Sequence, residues 1–90
     1  MSVAVHIPPS LQALAGDVSE ITVAGDTVGR CLRELVRLYP QLRGRLFTAK
    51  GKLLKDINIF VNGANVFPDP LARLVSGGDK IHVAYTVLGG

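Results

Sequence analysis

Two histidines, one cysteine and a closing pair of glycines are the residues of this 90-residue sequence whose types invite chemistry. His6 and His82 could begin a metal site, because neutral imidazole is a common ligand, but no carboxylate or thiol is placed to complete it. Each falls on the polar phase of an alternating stretch, so both are expected as solvated histidines of a sheet face. Cys31 sits among apolar positions and reads as a buried, inert thiol in preference to a nucleophile. A lone cysteine excludes a disulfide framework and a Cys-only metal cluster within one chain, and fits a reducing compartment. The sequence holds no Ser-His-Asp set, Walker loop or dinucleotide fingerprint. Gly77-Gly78-Asp79 reads as a turn, since no long helix follows it to make a phosphate cradle. No catalytic residue and no metal ligand set is therefore assigned.

Gly89-Gly90 is different. Gly is about 7% of an average chain, so a chance pair at these two positions is rare. The pair follows directly on an expected strand. Thr86–Gly90 would span at most about 17 Å when extended. Glycine has no side chain, so such a tail can enter a cleft that bulkier residues would block. The bland alternative is a frayed terminus with no role.

Several broad classes are excluded by composition. Apolar residues are 48% and charged residues 19%, which is globular and unlike a disordered chain. The length suits one domain with one core. Met1–Ser10 has no basic n-region, and Pro8 and Pro9 interrupt it early. No apolar run approaches the roughly 20 residues of a membrane helix, so a soluble, cytoplasmic protein with no membrane partner is expected. The net charge of +3 is uneven: eight of ten basic residues lie from Arg30 to Lys55, opposed there only by Glu34. That block invites a nucleic-acid or acidic-partner reading.

The positioning elements can be read from periodicity. Residues 3–7 alternate as a strand with Val3, Val5 and Ile7 inward. Residues 10–18 read as a connection anchored by Leu11 and Leu14. Residues 19–24 give a second strand with Ile21 and Val23 inward. Thr27 is a good N-cap for a helix to about Tyr39, ended by Pro40. Val28, Cys31, Leu32, Leu35, Leu38 and Tyr39 gather on one side of it, and Arg30, Arg33 and Arg37 on the other. Residues 41–47 suit a short helical turn, and 48–52 a polar loop. Residues 54–61 form a third strand with Ile57, Ile59 and Val61 inward. Asn62-Gly63 turns the chain into a short edge strand near 65–67, limited by Pro68 and Pro70. Residues 71–75 suit one helical turn. Residues 80–87 are the last strand, with Ile81, Val83, Tyr85 and Val87 on one face. One main helix over such a sheet is a two-layer α+β domain, and a β-grasp arrangement fits. The domain is placed at residues 1–85, followed by a flexible diglycine tail at 86–90.

The chain resembles the ubiquitin-like sulfur-carrier proteins, over its whole length. These include the small subunit of molybdopterin synthase and the thiamine-pathway and cysteine-pathway carriers. The likeness rests on Ala24–Gly29 opening the helix and Leu38–Leu42 closing it. It rests also on Ile57–Gly63, Gly78-Asp79 and terminal Gly89-Gly90. The long segment Tyr39–Leu54 is nearer the molybdopterin and cysteine carriers than the thiamine one. Two departures stand out: the tail lacks a proline before the diglycine, and it lacks the arginines of ubiquitin's own tail.

The resemblance implies a β-grasp sheet with first and last strands side by side. It also implies a mechanism. A terminal carboxylate, with pKa about 3.3–3.7, is ionised at neutral pH and is a poor electrophile. An ATP-dependent activating enzyme adenylates Gly90, and sulfur displaces AMP to leave a thiocarboxylate. Gly89, Leu88 and Val87 would thread into that partner. ATP is consumed by the partner, and no cofactor is tightly bound to the carrier. A persulfide protein is the expected sulfur donor, and a larger synthase subunit a further partner. Molybdopterin biosynthesis ranks first as destination, with cysteine and thiamine next. Acting as a carrier, the chain needs no catalysis of its own.

A docking surface is expected on the outer sheet face. Phe60 lies on the outward phase of its strand, and Ala4, His6, His82 and Ala84 on those of the first and last strands. Phe60, His6, His82 and Ala84 are the candidate partner-binding residues. Two rival functions remain open. One is a ubiquitin-like modifier forming isopeptide bonds. The other is a small RNA-binding module using the Arg30, Arg33 and Arg37 stripe. RNA is disfavoured by the lack of interleaved aromatics, with only Tyr39 and Phe47 nearby.

Overall fold

Apolar alternation resolves into five strands in the computed structural model, which describes residues 2–85. They are β1 (Val3–His6), β2 (Glu20–Val23), β3 (Ile57–Val61), β4 (Ala64–Asn65) and β5 (Lys80–Tyr85). The sheet order is β2-β1-β5-β3-β4. β1 pairs parallel with β5, and all other pairings are antiparallel. The first and last strands are thus neighbours, and β5 is the central strand. This is the expected mixed β-grasp sheet, covered on one face by helix α1 (Val28–Leu38).

Helix α1 begins where the sequence predicts. Thr27 is extended, and its Oγ1 accepts a hydrogen bond from Arg30 N at 3.1 Å. That satisfies one of the first-turn amides that have no partner within the helix. Gly29 lets the connection before β5 approach the helix: a Cβ there would lie 3.0 Å from the Leu71 carbonyl oxygen. Val28, Cys31, Leu32 and Leu35 are fully buried. The apolar stripe differs at its edges. Leu38 is 45% exposed, whereas Val36 is buried. At about 100° per residue these two flank the stripe on opposite sides, and α1 is rolled toward Val36. Tyr39 packs against the core, as expected.

Between β1 and β2, Pro9–Ala15 form a 3₁₀ run that seats Leu11 and Ala15 in the core, where a plain connection was expected. A 3₁₀ turn at Pro40–Leu42 leads into a short helix α2 (Arg43–Leu46), which buries Leu42 and Leu46. The turn expected at 71–75 lies slightly earlier, as a 3₁₀ turn at Pro70–Ala72.

Asn62-Gly63 makes the predicted hairpin turn, with φ of 51° and 86°. The returning strand is β4 at Ala64–Asn65, where 65–67 was expected. Asn65 Oδ1 accepts from Phe67 N at 3.0 Å and takes that amide away from the ladder. Phe67 is 81% exposed in consequence of leaving the sheet. Asn62 does more than turn the chain. Its Oδ1 accepts from Lys80 N (2.9 Å) and its Nδ2 donates to Asp79 (3.0 Å). Asp79 also accepts from Ser76 N (2.9 Å), and these bonds hold its carboxyl below the usual range. The β3–β4 turn is thereby fastened to the turn that starts β5.

Val87 and the rest of the tail, residues 86–90, lie outside the described residues.

Candidate functional site

Strand register brings the outward side chains of all five strands into one line. His6 faces Glu20 across β1–β2 and His82 across β1–β5. His82 faces Phe60 across β5–β3, and Phe60 faces Asn65 across β3–β4. Cross-strand neighbours lie roughly 4.5–5.5 Å apart, so the row Glu20, His6, His82, Phe60, Asn65 is continuous. The two imidazole rings are 4.8 Å apart, centre to centre, and tilted by 36°.

His6, His82 and Phe60 are half-buried with no helix above them. With Pro8, Ala84 and Tyr85 they line a shallow depression of about 540 Å³. The four sequence-selected surface residues, His6, Phe60, His82 and Ala84, therefore adjoin one another. Pro8 and Tyr85 were not selected. Pro8 lies beyond the end of β1, and alternation puts Tyr85 on the inward phase of its strand. Parallel pairing of β1 with β5 is what brings Pro8 beside the end of β5.

The electrostatics of this face are mild. Partial burial, then the neighbouring His6 and Lys80, lower the pKa of His82, while Glu20 acts in the opposite sense. His82 is thus held toward its neutral form. Glu20 reaches across β1 to Lys80 at 3.2 Å. Among the described residues no cluster of three His, Cys, Asp or Glu could hold a metal ion. The donor set ends with the two imidazoles.

Cys31 is fully buried on α1, with its Sγ 3.6 Å from the Gly25 carbonyl oxygen. Burial, and secondarily Asp26, raise its pKa. A protonated thiol under the sheet is not available as a nucleophile. The arginine stripe of α1 is partly neutralised. Arg30 pairs with Asp26 at 3.4 Å, and Arg37 chelates Glu34 through both carboxylate oxygens. Neither nearby aromatic presents a free face for base stacking, because Phe47 is buried and Tyr39 packs on the core. No helix among the described residues is long and apolar enough to cross a membrane.

The tail residues Val87, Leu88, Gly89 and Gly90 lie outside the described residues. Their point of departure is fixed, however. β5 ends at Tyr85, beside Ala84 and the depression.

No family model matches the chain. Individual relatives do. The sulfur carrier protein CysO of Mycobacterium tuberculosis is 33% identical over 93 residues, covering the whole of both chains. A putative sulfur carrier protein of Archaeoglobus fulgidus is 31% identical over 97 residues, again covering both in full. Among solved structures, a chain of the Amycolatopsis orientalis BexX/CysO complex superposes with a TM-score of 0.86 at 29% identity, covering 98% of this chain and 99% of that one. Small archaeal modifier protein 1 (SAMP1) of Haloferax volcanii gives 0.85 at 30% identity, with full coverage of both.

Proposed function

The chain belongs to the ubiquitin-like sulfur-carrier family, and on that premise we propose that the Gly90 carboxylate is its sulfur-carrying group. The observation that carries this reading is full-length similarity to sulfur carriers in a chain whose last residues are Gly89-Gly90. An activating enzyme joins the carboxylate to AMP from ATP, releasing pyrophosphate. A sulfur nucleophile then attacks the acyl carbon, AMP leaves, and a thiocarboxylate remains. Conversion of carboxylate to acyl phosphate supplies the leaving group that the bare carboxylate lacks.

The chain's own residues contribute placement. Central β5 anchors the base of the tail, and the depression lined by His6, Phe60, His82 and Ala84 seats the partner beside it. Val87 and Leu88 would lead Gly89 and Gly90 into the partner's cleft. The BexX/CysO complex supports a mode of action in which a carrier of this fold works bound to another protein. The CysO relatives favour a cysteine-type acceptor over molybdopterin. The molybdopterin converting factor neighbour from Pyrococcus furiosus, at 24% identity, shares the fold alone.

Intact-mass spectrometry tests the proposal. Incubated with ATP, an activating enzyme and a sulfide source, the chain should exchange one oxygen for sulfur at Gly90. Removal of Gly90, or extension beyond it, should abolish the product. Thiolation of the extended chain would overturn the assignment.

A second reading is favoured by the SAMP1 likeness: attachment of Gly90 to lysines of other proteins through isopeptide bonds. Both readings pass through the same adenylate and differ in the nucleophile that resolves it. Lysines that carry the tryptic remnant Ile81–Gly90, lost when Gly90 is deleted, distinguish the second from sulfur delivery.

A further inference from the structure

A second depression lies on the helix layer, away from the outer sheet face. It encloses about 740 Å³ between α1, α2 and the loop 48–51. Val36 and Phe47 form an apolar floor, 7% and 8% exposed. Arg33, Arg43 and Lys50 stand around it, all exposed. Arg37 also borders the groove, but Glu34 holds its guanidinium.

The wall is preset by backbone. Thr48 N donates to Lys52 O at 2.7 Å, and Thr48 Oγ1 accepts from the amides of Lys50 (3.3 Å) and Lys52 (3.2 Å). Lys50 therefore rises from an ordered turn. Arg33, Arg43 and Lys50 form no ion pair with any described carboxylate, and no acidic residue lines the groove. Arg30, Arg37 and Lys80, by contrast, are all paired. Three of the chain's unpaired cations thus gather around an apolar floor.

We propose that this groove docks an acidic segment of a partner protein. One apolar side chain of the segment rests on Val36 and Phe47, and carboxylates on either side of it meet Arg33, Arg43 and Lys50. Three unpaired cations around one apolar spot are complementary to that pattern. A nucleic acid fits less well, because Phe47 offers no face on which a base could stack. The helix that edges the groove also touches β5. Helix α2 forms its edge at Arg43, and Arg45 O lies 3.4 Å from Tyr85 Oη at the end of β5. The groove is nonetheless a separate site from the terminal carboxylate.

The test is an amide NMR titration of the full chain with a synthetic peptide carrying one Leu flanked by Glu and Asp residues. Shifts are expected at Val36, Phe47, Thr48 and Lys50, and the affinity should fall with added salt. Arg33→Glu with Lys50→Glu should cut affinity by at least about tenfold. Lys55→Glu with Arg73→Glu changes net charge by the same amount outside the groove, and should alter affinity by less than about twofold. Replacing the peptide Leu by Gly should also weaken binding. Deleting Gly89 and Gly90 should leave affinity unchanged, so the groove can fail without the carboxylate chemistry failing, and conversely. Equal losses in the two double variants would overturn the proposal, as would no binding or shifts centred on His6, Phe60 and His82. Tighter binding of an oligouridylate at the same amides would overturn it in favour of nucleic acid.

Discussion

Along β5, Ile81 and Val83 point into the core and are at most 3% exposed, whereas His82 and Ala84, each a single residue away, stay half-open on the outer face. β3 repeats the contrast, with Ile57, Ile59 and Val61 buried against the helix layer and Asn58 and Phe60 half-open. On the inner face residue choice answers to packing, since a close-packed interior registers the loss of even a methylene. The outer face is under no such demand. It carries imidazoles, small residues and one aromatic, and these can be chosen for what they contact outside the molecule. A sheet covered on one side only is a scaffold on that side and, on the function proposed above, a binding surface on the other, and the pleat keeps the two roles apart.

The largest effect that would sharpen this contrast is on stability. Ile81→Ala should cost about 2–5 kcal/mol by removing a fully buried branched side chain. His82→Ala, at the next position, should stay within about 1 kcal/mol of the parent. Denaturant melts of the two variants measure the difference, and similar losses would mean that the outer face is structural too. Phe60→Ala comes next. Its expected effect falls on affinity for the activating enzyme, roughly tenfold or more by calorimetric titration, with the fold retained. Unchanged affinity would remove Phe60 from the interface.

A smaller effect is expected at the turns. Asn62→Ala should cost about 1 kcal/mol, by loss of its bonds to Lys80 N and Asp79. Asp79 adds a pH signature. Its folded carboxyl titrates below the ordinary value, so its stabilisation is complete above the unfolded pKa and is lost as pH falls through the folded one. Asp79→Asn should flatten that acid limb in melts taken below about pH 4.

The smallest effect belongs to His82. Its folded pKa is lowered, so the folded state binds fewer protons below the ordinary histidine value of about 6.5. Stability associated with neutral His82 is full above that value and declines as pH falls through the folded pKa. His82→Gln should remove this slope. A proton NMR titration of His82 in the parent should give a midpoint below 6.5, the ordinary value for histidine.

The sequence made the inner face legible because its signal is local. Alternation placed Val3, Val5, Ile59, Val61, Ile81 and Val83, Thr27 and Pro40 bounded the helix, and Asn62-Gly63 marked the hairpin. Outward phase also selected His6, Phe60, His82 and Ala84, which the register then made neighbours. What stayed hidden depends on distant parts of the chain. Asn62 meets Asp79 across 17 residues, and no periodicity announces such a bond. The roll of α1 that buries Val36 and exposes Leu38 is set by what packs against it, and helical spacing alone treats both as edge positions. The basic groove needs the loop 48–51 folded back on α1, so the sequence showed its charges without showing their apolar floor.

Central β5 has one further consequence, a mechanical one. The strand that leads to Gly90 is hydrogen-bonded on both sides, parallel to β1 and antiparallel to β3. On the proposed function, a partner that drew the tail into its cleft would load β5 lengthwise from its Tyr85 end. Such a load is resisted by both rows of bonds together, in shear, and cannot open them singly like a zipper. The domain should behave as a firm handle for its own terminus, surrendering the end of the chain without yielding the sheet behind it.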